Sequence, residues 1–131
     1  MKNPLFLLLV SLCLVSCKKS LQDQAEKEAY DFTRKYCPTP IIGNERTDSM
    51  TFDKKTKTIV YWKSLYNEAD DKNLIVARHD KLRNALLQSL SNETRVRNYM
   101  KEDFRFRYVY HSGSHPKETI FDVTFTPKDY R

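Results

Sequence analysis

Two histidines, His111 and His115, flank Ser112-Gly113-Ser114. A His-x₃-His pair can ligate a metal when a helix places both rings on one side. The Ser-Gly-Ser spacer and the following Pro116 read as a turn instead, and no cysteine or carboxylate motif joins the pair locally. The expected structure there is a solvated hairpin tip, with no metal ligand set. His79-Asp80 lies in a helical stretch, where adjacent side chains point in different directions, so it reads as a surface pair and not an acid–base dyad. Glycine occurs only at positions 43 and 113. That excludes a phosphate-cradling Gly-rich loop, and a Gly-x-Ser-x-Gly nucleophile elbow is absent too. The chain therefore reads as a non-enzyme, and no cofactor is expected.

Basic residues are the stronger candidates for contact with a partner. Arg95, Arg97, Lys101, Arg105 and Arg107 fall in one short stretch. Arg105 and Arg107 share the strand face opposite the aromatic row Phe106, Tyr108 and Tyr110. If that face meets solvent, it offers a positive patch to a phosphate-rich headgroup, an acidic glycan or an acidic protein. The same charges would equally keep a sheet face soluble and block edge pairing. The string Arg105-Phe106-Arg107-Tyr108 lacks the glycines of RNA-binding strands.

The first segment has a positive start at Lys2, an apolar run from Leu5 to Val15, and then Leu14-Val15-Ser16-Cys17. The run is too short to span a hydrocarbon core, which takes about 20 residues. Leu14-Val15-Ser16-Cys17 resembles the lipobox of bacterial lipoproteins. That resemblance implies lipidation of the Cys17 thiol, removal of residues 1–16, and a two- or three-chain anchor. One acyl chain binds only at about 10⁴ M⁻¹, whereas two hold firmly. It also implies that Lys18, standing where Asp would favour inner-membrane retention, is compatible with the periplasmic face of an outer membrane. Nucleic acid is not an expected partner of an exported chain.

Of the 131 residues, removal of 1–16 leaves 115, enough for one domain with its own core. The formal net charge is +6, and only Lys2 is lost with the leader, so the mature chain stays basic. Three cysteines are present. Cys13 leaves with the leader and Cys17 carries lipid, so Cys37 stands alone, read as a small buried hydrophobe rather than a reactive thiol. The expected organisation is a leader at 1–16, a lipidated Cys with a short tether at 17–20, and one domain at 21–131.

The elements that must position these residues follow from periodicity. Leu21, Ala25, Ala29, Phe32 and Tyr36 recur at helical spacing, and Pro38 ends the stretch, predicting a helix over 21–36. Met50 and Phe52, a polar turn at 53–56, and Thr58-Ile59-Val60-Tyr61-Trp62 predict a hairpin whose second strand is apolar on both faces. Ile75, Leu82, Leu86 and Leu90 predict a helix over 70–90, and a short helix follows through Tyr99. Strict alternation from Phe104 to His111, a break, and Thr119 to Phe125 predict a late aromatic hairpin. The order α-β-β-α-α-β-β predicts an α+β fold, an antiparallel sheet of about four strands against two or three helices.

The pattern Tyr36-Cys37-Pro38, then Thr47 to Phe52, then Tyr61-Trp62-Lys63-Ser64-Leu65 resembles a group of small, uncharacterised exported bacterial proteins. Lys63 departs from the group's second tyrosine at that position. Together these features lead to the expectation of a membrane-anchored envelope lipoprotein acting as a non-enzymatic protein-binding or accessory module. The alternative is an immunity or inhibitor lipoprotein against an exported toxin.

Overall fold

A computed structural model of the chain describes residues 20–131. Helix α1 spans Leu21–Tyr36, as the spacing predicts. Ser20 caps it by accepting a hydrogen bond from the Asp23 N–H at 3.1 Å. Asp23 sits in the first turn and Arg34 and Lys35 in the last, matching the helix dipole. The helix stops at Cys37, whose backbone is extended before Pro38; the Cys37–Pro38 peptide is cis.

Strands β1 (Glu45–Asp53), β2 (Thr58–Leu65), β3 (Arg105–Ser112) and β4 (Thr119–Phe125) form one sheet in the order β1-β2-β3-β4. The α+β class and the four strands agree with the sequence reading, with one correction. β1–β2 and β3–β4 are antiparallel hairpins, but the central β2–β3 pair is parallel. The cause is topological. The chain leaves β2 at one end of the sheet and crosses back through helices before entering β3, which brings the two strands side by side in the same direction.

That crossover contains α2 (Lys72–Ala77), α3 (His79–Asn92) and α4 (Arg97–Lys101), with α5 (Pro127–Tyr130) closing the chain. The expected single helix over 70–90 is thus broken at Arg78, whose backbone is non-helical at φ −108°, ψ 17°. The break lets Ile75 and Leu90 both bury against the sheet.

Alternation then divides the strand residues between two faces. Phe52, Ile59, Phe106, Tyr108, Tyr110, Phe121, Val123 and Phe125 join Ala25, Leu90, Val96 and Tyr99 in the core. Phe104, Phe106 and Phe125 are at most 1 % exposed. The facing aromatics meet across the hairpin, Tyr108 on Phe125 and Tyr110 on Phe121 at ring-centre distances of 6.0 and 5.9 Å. Buried Ala25 and Ala29 let α1 approach β1 closely. There the Thr33 hydroxyl accepts from the Met50 N–H and donates to the Met50 carbonyl, both at 2.8 Å, covering part of the exposed strand edge. Thr39 does the same work at Thr47, through its N–H and its hydroxyl.

Gly113 is required by a close approach. Its N–H reaches the Leu65 carbonyl at 2.8 Å. A Cβ there would lie 2.6 Å from that oxygen and 2.5 Å from the Tyr66 ring. Among the described residues, no helix is long and apolar enough to cross a membrane.

Candidate functional site

Arg105 and Arg107 point away from the helices, as their alternation with Phe106 and Tyr108 requires. On this helix-free face lies a shallow trough of about 370 Å³, open to solvent. Its floor is Thr58 and Val60, both 6 % exposed, and its walls carry Arg105, Arg107, Asp122 and Asp53. Strand and turn residues line it, with no helix contributing among the described residues. Arg107 grips Asp122 in a two-pronged pair, Nε to Oδ1 at 2.9 Å and Nη2 to Oδ2 at 2.6 Å. Asp122 thereby holds the guanidinium more firmly protonated. Further along the face, Trp62 donates to Thr51 Oγ1 at 2.8 Å and Ser64 donates to Asp48 Oδ2 at 2.5 Å. Arg107, Trp62 and Ser64 on this face are therefore already paired, whereas Arg105 makes no ion pair among the described residues.

The other three basic candidates lie elsewhere. Arg95 pairs with Glu93 at 3.4 Å and sits on the helix side, where its charge acts on the Tyr61 hydroxyl. Arg97 opens α4 and Lys101 closes it, both exposed. The five residues are neighbours in sequence but do not form one patch. Lys101 and Arg105 belong instead to the end of the domain where α1 begins.

That end holds a second hollow of about 270 Å³, lined by Ser20, Leu21, Gln22, Lys57, Glu102 and Phe104. The β1–β2 turn folds onto it. Lys54 bridges Asp23 at 3.1 Å and Glu26 at 2.7 Å in α1. Lys57 donates to the Glu102 carbonyl and lies 5.1 Å from the Phe104 ring centre. Its own carbonyl accepts the Arg105 N–H at 2.8 Å. Arg131 pairs with Asp103 beside them. By sequence, residues 53–56 read as a polar turn. The available signal was three lysines, at 54, 55 and 57, in four residues.

The histidine-rich tip is a fastening and not a catalytic group. The Ser114 N–H and hydroxyl both donate to Asp70 Oδ2, at 3.0 and 2.6 Å. His115 Nδ1 lies 3.1 Å from the same hydroxyl. In a nucleophilic triad the imidazole stands between carboxylate and hydroxyl. Here the hydroxyl stands in the middle and its proton is directed at Asp70. Hydrogen bonds from Ser112 and Ser114 lower the Asp70 carboxyl below its ordinary range. His111 turns to the Pro116 carbonyl, 3.1 Å away. His79 packs against Phe121 at 5.1 Å between ring centres. No cluster of three potential metal ligands occurs among the described residues.

Cys37 is partly buried, and burial followed by the nearby Asp48 charge pushes its thiol pKa up. That disfavours the reactive thiolate. Cys17, the expected lipid attachment point, lies outside the described residues.

The chain belongs to the family described as Domain of unknown function (DUF8479), which it matches over residues 20–121. No curated protein matches it. Its fold is shared with two solved structures. One is a candidate secreted protein from Pseudomonas aeruginosa, with a TM-score of 0.67 and 14% identity, covering 87% of this chain and 100% of that one. The other is the pilotin EpsS from the Vibrio vulnificus type 2 secretion system, with a TM-score of 0.63 and 13% identity, covering 85% of this chain and 92% of that one.

Proposed function

We propose that this chain is a lipid-anchored lipoprotein of the bacterial cell envelope that acts as a non-enzymatic accessory module by binding a protein partner. The observation that carries the reading is the helix-free sheet face. Arg107 and Asp122 neutralise each other there over a floor of buried Thr58, Val60 and Val109, and that is a surface suited to contact and not to turnover. The fold shared with a pilotin of a secretion system supports the same class of role. The anchor in this reading is lipid on Cys17, with the domain on the periplasmic face of an outer membrane.

A photo-crosslinking residue at Thr124, in the trough, tests the reading in intact cells. The expected result is a discrete adduct with one envelope protein, absent when the probe stands at Gln88 on α3. Probes across the whole face that yield no reproducible adduct would overturn the partner role. Cys17→Ala is expected to leave unprocessed precursor or a soluble form; a variant cut to mature length that still partitions into detergent like the parent would remove the lipid from the account.

A further inference from the structure

The end of the domain at which α1 begins gathers basic side chains from four separate segments. The β1–β2 turn brings Lys54, Lys55 and Lys57, the end of α4 brings Lys101, the start of β3 brings Arg105, and the C-terminus brings Arg131. Some of that charge is answered locally. Lys54 serves Asp23 and Glu26, and Arg131 serves Asp103. Lys55, Lys101 and Arg105 are exposed and make no ion pair among the described residues. Asp53 and Glu102 are exposed at the same end, so these charges are offset in part, and the tether lysines add to what remains.

The position of this end matters because of the chain that leads into it. Ser20 caps α1 and lines the hollow there, and only Lys18 and Lys19 separate it from Cys17. Three residue steps reach at most about 11 Å when fully extended. A lipid on Cys17 would therefore hold this end, and not the His111–Pro116 tip at the other end of β3, against the bilayer. Both tether residues are lysines as well. At physiological ionic strength a charge is felt over about 8 Å, so the exposed lysines and arginine would come within range of the headgroups where the tether draws this end onto the bilayer.

From this juxtaposition we infer that the tether end of the domain is a membrane-docking surface for anionic phospholipid headgroups, with Lys55, Lys101 and Arg105 as its contacts. The inference rests on the lipoprotein reading above and goes beyond it. The anchor alone only keeps the domain near the membrane. The basic end orients it, so that the sheet stands on its tether end with its helix-free face directed sideways and open to a partner.

The test uses the mature lipidated protein, purified from membranes and placed in vesicles carrying headgroup-nitroxide lipid. A fluorophore is attached at Thr56→Cys or at Lys117→Cys, in a Cys37→Ser background. In phosphatidylcholine containing about a third phosphatidylglycerol, quenching at position 56 is expected to exceed that at position 117 by about threefold or more. The difference should collapse in about 1 M salt, where screening shortens to about 3 Å. It should also collapse in the triple variant Lys55→Glu, Lys101→Glu, Arg105→Glu. Equal quenching at the two ends, or a difference that survives the triple variant, would overturn the docking surface. Mass spectrometry of the Cys17 peptide separates the two levels. An unlipidated Cys17 brings down the lipoprotein reading and the inference together, whereas lipidated protein with equal quenching brings down the inference alone.

Discussion

The two faces of the sheet are built from the same four strands, and alternate residues of a single strand serve opposite purposes. On β3, Phe106 is wholly buried under the helices while its neighbours Arg105 and Arg107 border the open trough. Stability on the helix side comes from apolar area and close packing, to which each aromatic contributes several kcal/mol. The opposite face rests on polar pairs near water, Arg107 with Asp122 and Trp62 with Thr51, each of which contributes little. One face specifies the fold. The other buries only its floor of Thr58, Val60 and Val109, and the exposed side chains above that floor are where a partner can be accommodated at little cost in stability.

The sharpest way to break this comparison is to truncate one residue on each side. Phe106→Ala is expected to destabilise the domain by about 3–5 kcal/mol, read as a shift of the urea midpoint, because a buried ring leaves a cavity. A loss below about 1 kcal/mol would mean the helix side is not the core.

Alkaline titration sharpens the same contrast. Burial pushes Tyr61 up to about 12, and burial also raises Tyr108 and Tyr110. Tyr99 is raised by burial and then by its 2.5 Å hydrogen bond to Glu28. All four sit on the helix side. Their folded pKa values lie above the unfolded value of about 10, so the unfolded state ionises first. Their contribution is fully present below about pH 10 and is lost as pH rises toward the folded values, with Tyr61 alone costing roughly 1.4 kcal/mol per pH unit in that window. Urea midpoints measured between neutral and strongly alkaline pH should fall accordingly; a flat profile would place these rings in water.

The smallest effect belongs to the open face. Side chains of Arg107 and Asp122 are 40% and 38% exposed. Arg107→Ala should therefore cost less than about 1 kcal/mol. The same variant is expected to weaken the crosslink from Thr124, because it leaves Asp122 unpaired in the trough. A large stability loss would show that this face is structural after all.

Much of the fold was legible because its determinants are local. The stripe from Leu21 to Tyr36 with Pro38 beyond it predicts α1 over the observed residues. The alternation from Phe104 to His111 and from Thr119 to Phe125 predicts the late hairpin and the face each aromatic takes. The two apolar faces of Thr58 to Trp62 point to a strand with neighbours on both sides, and β2 is central. Its parallel pairing with β3 was not legible, since alternation identifies a strand but not the direction of its neighbour. The break at Arg78 also escaped, because no proline or glycine marks it and the driving force is burial against the sheet.

The candidate site divides in the same way. Adjacency suggested one basic patch at Arg95, Arg97, Lys101, Arg105 and Arg107, and the alternation of β3 correctly placed Arg105 and Arg107 opposite the aromatics. The sequence by itself determined which residues could be buried, which must be wet, and where helices begin and end, because those follow from side-chain chemistry at fixed backbone periods. Only the tertiary structure decided which charges stand together. The crossover from β2 to β3 parts Arg95 from Arg105 and seats Lys54, Lys55 and Lys57 beside Lys101 and Arg105 at the start of α1. Distances between charges depend on topology, and topology is set by the burial of the whole core at once.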